Sequence, residues 1–178
     1  MSSLNYPIYD SPKLIDLALL DIQNNLLDLP WLTNAYGRAK RLVKGKLIYP
    51  AVYKGSGEYK SLFPDNSNYS FFLIDDPQDY DWRSNVKGSL TVKLSLIFWF
   101  NISKIEASDE RNTESLKDDI LSLLNKGYRH GSLEITRIYE DTDNIFKGFS
   151  IKEVDSQYMM YPYAGFRFEG TLKVKQGC

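Results

Sequence analysis

Thirteen residues in the middle of the chain constrain its fold more than any other stretch. From Leu90 to Ile102 every even position is large and apolar: Leu90, Val92, Leu94, Leu96, Phe98, Phe100 and Ile102. Side chains on a strand alternate between faces, so one face of this segment must be covered along its whole length. The odd positions begin polar at Thr91, Lys93 and Ser95, then turn apolar at Ile97 and Trp99. That predicts partial cover on the second face. A strand of this kind belongs inside a sheet against which other elements pack.

Two helices fit that need. The first is predicted over Pro12–Leu29, with Ser11 as cap, Pro12 in the first turn and Pro30 as the stop. Its core-facing stripe is Ile15, Leu19, Ile22, Leu26 and Leu29. The second runs over Thr113–Lys126, capped by Thr113 or Asn112, with Gly127 at its exit and a stripe of Leu116, Ile120, Leu123 and Leu124. Further strands are expected at Leu47–Tyr53, where Pro50 suggests an edge or a bulge, at Phe71–Ile74, Ser132–Glu140 and Ala164–Lys175, and more weakly at Ile145–Val154. The order predicts an α+β fold: one mainly antiparallel sheet with two helices packed on one face and long interface loops. Residues 1–178 are expected to form a single domain, with an N-terminal arm at 1–10 and long loops near 54–70 and 75–88.

Composition narrows the function classes. A formal net charge of −1 gives no general attraction to nucleic acid or to an anionic membrane. Cys178 is the only cysteine, so no internal disulfide framework is expected and a reducing compartment is. Met1–Tyr9 lacks the pattern of a signal peptide, and Leu94–Phe100 is too short to cross a bilayer. Synthesis in the cytoplasm and no membrane partner are the expectations.

Chemistry-bearing residues are sparse. His130, the only histidine, follows the predicted exit of the second helix and lacks the partners of a zinc site or a recognisable triad. A structural or solvent-exposed role is expected for it. Asp75, Asp76, Asp79 and Asp81, and Glu140, Asp141 and Asp143, supply oxygen ligands without the glycine and terminal glutamate of a calcium loop, and read as solvated turns. Gly55-Ser56-Gly57 lacks the frame of a phosphate loop and reads as a flexible loop. No catalytic residue, cofactor or metal is expected.

Surfaces are the better candidates. Arg38, Lys40, Arg41, Lys44 and Lys46 form a basic run without an acid. It reads as a solvated connection, as a nucleic-acid patch with Tyr36 and Tyr49 nearby, or as an electrostatic partner for Asp75–Asp81 of another subunit. Tyr59, Leu62, Phe63 and Tyr69 in the first long loop, Tyr80 and Trp82 in the second, and Tyr158, Met159, Met160, Tyr161 and Tyr163 near the C-terminal strand either meet a partner or fold back on their own domain. Leu17, Leu20 and Leu27, opposite the first helix's core stripe, offer the same two readings.

The element order of amphipathic helix, strand pair, long central strand, second helix and C-terminal strands resembles the tail-terminator and neck-ring proteins of tailed bacteriophages. The segment Tyr161-Pro162-Tyr163-Ala164-Gly165-Phe166-Arg167-Phe168-Glu169-Gly170 is similar to small structural proteins from phages of Bacteroides-type hosts, including the crAss-like group. The resemblance carries no individual functional residue across. It implies a virion protein made in the host cytoplasm, a ring of identical subunits between portal and tail, and contacts with other neck, portal or tail proteins. DNA would pass through its axial channel. The alternative class is a soluble intracellular binding module or small enzyme with a ligand pocket under its long loops.

Overall fold

The long alternating segment is the centre of a sheet. The computed structural model describes residues 11–81, 88–105 and 113–175. In chain order these form α1 (Ile15–Leu26), β1 (Asn34–Arg38), β2 (Lys40–Lys44), β3 (Leu47–Gly55), β4 (Glu58–Ser61), β5 (Tyr69–Asp81) and β6 (Ser89–Asn101). Then follow α2 (Thr113–Leu124), β7 (Gly131–Tyr139), the short α3 (Thr142–Ile145) and β8 (Tyr163–Lys175). The architecture is α+β. A five-stranded sheet runs β1-β5-β6-β8-β7, antiparallel except where β1 lies parallel to β5.

Both long helices cover one face of this sheet, as the apolar stripes require. Ile15, Leu19, Ile22 and Leu26 of α1 and Leu116, Ile120 and Leu124 of α2 pack with Leu94, Leu96, Phe98, Phe100, Phe166, Phe168 and Leu172 in one core. Phe98 meets Phe168 edge to face, with ring centroids 5.7 Å apart. The start of α1 differs from expectation. Ser11 and Pro12 precede the helix, which begins at Ile15 after Leu14 takes a positive φ of 50° and provides no side-chain cap.

The single sheet of the sequence reading has a companion. A three-stranded antiparallel sheet, β2-β3-β4, closes a second core over the other face of the main sheet. Tyr36, Val52, Leu62, Tyr69, Phe71, Ile97, Trp99, Phe146 and Phe149 fill it. This explains why Ile97 and Trp99 turn apolar. It also corrects Ile145–Val154, expected as a strand. Asp141 caps α3 by accepting a hydrogen bond from the Asn144 N–H, and α3 and the turn after it send Ile145, Phe146 and Phe149 into the second core. Arg167 is buried beneath the same segment: its Nη1 donates to the Asn144 carbonyl at 3.4 Å and its Nε lies 3.0 Å from Glu169.

Pro50 sits in the central strand of the small sheet rather than at an edge. Its carbonyl accepts from the Leu62 N–H, one residue past the end of β4, so its missing donor falls where ladder pairing has already stopped. The hairpins are tight. Lys44 pairs with Leu47 across Gly45-Lys46, and Gly45 has φ 63°. Gly55 pairs with Glu58 across Ser56-Gly57, both at positive φ.

Candidate functional site

The basic run becomes one strand and its flanks. Residues 40–61, the small sheet, carry six basic side chains and one acid, Glu58, a net charge of +5 in a chain of net −1. Strand alternation sorts them. Val52 and Leu62 point into the second core. The Tyr53–Tyr59 pair and Tyr49, together with Lys40, Leu42 and Lys44, therefore stand on the opposite, outer face, and Phe63, beyond β4, meets Tyr49 while resting partly on the second core. Tyr49 and Phe63 have centroids 6.0 Å apart, and Tyr53 and Tyr59 lie edge to face at 5.4 Å. Ala51 lies between the two pairs, and Lys40 reaches across it to within 6.0 Å of the Tyr59 ring centre.

Other members of the run have different surroundings. Arg41 lies over the Phe149 ring at 5.1 Å and packs against Gly148. Lys44 and Lys46 are exposed at the β2–β3 turn. Arg38 is half-buried. With Lys40, Arg41 and Ala39 it lines one side of a cleft of about 420 Å³, whose other side is Leu73, Ile74, Asp75 and Asp76 of β5. The cleft opens because β1 leaves β5 after the Ala39 N–H donates to the Phe72 carbonyl. Basic run and acidic segment, one reading of which paired them between subunits, thus face one cleft within a single chain. Burial raises the carboxyl pKa of Asp16, at the start of α1, while Arg38 and Lys40 pull it down.

Both segments expected as long loops contain strand, with residues 62–68 of the first irregular and 82–87 of the second outside the described residues. Residues 54–70 contain the end of β3, β4 and the start of β5, and residues 75–81 continue β5 as an arm paired with β6. Leu62 and Tyr69, proposed as interface residues, belong to the chain's own core at 2% and 1% exposure. Burial raises the Tyr69 phenol well above its ordinary pKa. Phe63 is half-buried and rests partly on that core. Tyr59 is exposed, and Trp82 lies outside the described residues. Leu17, Leu20 and Leu27 are half-buried, and Leu27 packs on the helix-side core.

Exposed apolar side chains include Tyr80, Met160 and Tyr161, named above, and Val43, Ile48 and Ile138, which sequence reasoning passed over. Val43 and Ile48 pair across the β2–β3 hairpin, and Val43 is 68% exposed. Tyr80 stands out from the β5 arm, and Ile138 from β7 at the end of the main sheet. Met160 and Tyr161 follow the 3-10 turn Ser156–Met159 at 65% and 66% exposure, whereas Tyr158 and Tyr163 close on each other with ring centroids 5.1 Å apart. The pairing that presents Val43 and Ile48 is not visible in a sequence window.

His130 has a structural setting. Its backbone N–H and its ring both meet Asp21 of α1. Among the described residues no group of three histidine, cysteine or acidic side chains is placed to hold a metal ion. Gly55-Ser56-Gly57 is the β3–β4 turn, where the Gly57 N–H donates to the Tyr53 hydroxyl. No described helix is long and apolar enough to cross a membrane. In comparison with known proteins, the chain matches no protein-family model and no curated protein.

Proposed function

We propose that this chain is a ring-forming structural subunit of a phage neck or tail, linking portal and capsid to the tail around an axial channel for DNA. The observation that carries the reading is the distribution of exposed apolar side chains over separate, hydrogen-bonded elements. Val43 and Ile48 lie on the small-sheet hairpin, Tyr80 on the β5 arm, Ile138 on β7, and Met160 and Tyr161 before β8. Val43 with Ile48, and Met160 with Tyr161, are grouped, and grouped apolar exposure is what contact surfaces present. A ring subunit needs at least two different in-plane surfaces, because each copy meets its neighbours head to tail. Other subunits and the adjoining portal or tail proteins are the partners this reading assigns.

The test is self-association of single-site variants. Val43→Ser, Tyr80→Ser and the pair Met160→Ser with Tyr161→Ser are expected to keep the parent's unfolding midpoint, because these side chains are exposed. At least one is expected to shift the particle mass toward the monomer. Unchanged mass in all three would overturn the assignment of these surfaces.

The second reading, a small-ligand binding module, draws on the cleft with Arg38, Lys40 and Arg41 on one side and Asp75 and Asp76 on the other. It predicts that a zwitterionic ligand raises the unfolding temperature and that Asp75→Asn abolishes the rise.

A further inference from the structure

We infer that the outer face of the three-stranded sheet is a binding platform for single-stranded nucleic acid. The inference is independent of ring formation. Its first support is charge. The +5 of residues 40–61 sits in a chain that is slightly acidic overall, so the positive field belongs to this module rather than to the protein. Arg41 and Lys60 are held on the inner side, by Phe149 and Tyr36 respectively. Lys40 and Lys44 remain on the outer face, with Lys46 and Lys54 exposed at its rim. Glu58 is the one opposing carboxylate on the module, and it lies 3.9 Å from Lys54. Asp75 and Asp76 bound the face on the cleft side, beyond Arg38 and Lys40.

The second support is the arrangement of rings. Tyr49 and Tyr53 are four residues apart on β3, so the pairs Tyr49–Phe63 and Tyr53–Tyr59 are separated by about 13 Å along the strand. Ala51 between them is fully buried, and Lys40, paired with it, carries its ammonium to the Tyr59 ring. Two aromatic stations with a small residue between them and lysines beside them match what a single strand asks of a surface. Bases stack on rings whatever their identity, and the backbone runs past ammonium groups. A duplex hides its base faces and would use the lysines alone, so the rings favour the single strand.

The experiment uses the full-length chain and a fluorescently labelled thymidine oligonucleotide of about twenty nucleotides, read by anisotropy over a range of salt. Particle mass is recorded in the same buffers, so that a failure of ring formation is seen separately. Binding is expected at low salt and should weaken as salt rises, with a log–log slope of about −0.7 for each phosphate neutralised. Lys40→Gln with Lys44→Gln should flatten that slope. Tyr59→Ala, at an exposed position, should weaken binding about tenfold and leave the salt slope unchanged. Lys126→Gln, an exposed lysine after α2 and outside the small sheet, should change neither. Three results would overturn the inference: no binding at low salt, binding indifferent to Tyr59, or a duplex of the same length bound as tightly as the single strand.

Discussion

His130 holds Asp21 twice. Its backbone N–H donates to Oδ2 at 3.0 Å, and its ring Nδ1 lies 2.7 Å from the same oxygen. An ionised carboxylate only accepts, so Nδ1 carries the proton in this contact. The pair fastens the turn after α2 to α1, across 109 residues of chain. Asp21→Ala leaves both donors unmatched and is expected to cost about 1–3 kcal/mol. His130→Ala removes only the ring contact and is expected to cost about 1 kcal/mol. Urea unfolding of both variants checks the order; equal or reversed costs would contradict it.

Arg41 and Gly148 make a second long-range contact. Gly148 has φ 84°, and a methyl group added there would meet Arg41 Nη1 at 2.7 Å. Gly148→Ala should therefore destabilise the fold by about 1–2 kcal/mol through backbone strain, with the crowding added. Combining it with Arg41→Ala should relieve the crowding alone. The double variant is expected to lose less stability than the two single losses together, and strict additivity in denaturant melts would refute the contact.

Phe98 and Phe168 are fully buried, and each packs further aromatic rings of the helix-side core. Either change to Ala is expected to cost about 3–5 kcal/mol. The double variant should fall short of the sum because the two rings share a contact. A loss below about 1 kcal/mol would show that the core can collapse around the gap.

Lys117 on α2 lies between Glu114, at 2.6 Å, and Glu140, with its ammonium 5.7 Å from the Phe166 ring centre. Burial favours the neutral amine, but the bonds to both carboxylates outweigh it, so the ammonium pKa is raised. A raised pKa gives stability that is fully present below the ordinary lysine value and is lost as pH rises through the folded one. The gap in urea midpoint between the parent and Lys117→Met should thus hold from neutral pH upward and close only above about pH 10.5. A gap that widened in that range would reverse the assigned sign.

What the sequence disclosed follows from where each element sits. α1, α2, β6 and β8 carry long apolar periods because each has a face against one continuous core. β2, Lys-Arg-Leu-Val-Lys, reads as a solvated connection because four of its five residues are exposed and its partner strand lies across a turn. β5 beyond Ile74 is polar and exposed, and pairing with β6 alone keeps it extended. Leu62 and Tyr69 looked like loop residues free to meet a partner because the second core is assembled from short pieces distant in sequence. The α3 cap was present as Asp141 with Asn144 three residues on, but the apolar spacing after it imitates a strand. The pairs Tyr49–Phe63 and Tyr53–Tyr59 depend on the register of β3 and β4, which no single window of sequence contains.

The most direct test of ring formation is native mass spectrometry of the purified full-length chain at micromolar concentration. The account predicts a single dominant species at a fixed multiple of the 20.6 kDa chain, whose multiple does not grow with concentration, as closure requires. A monomer at every concentration, or an open series of masses that lengthens as protein is added, would contradict it.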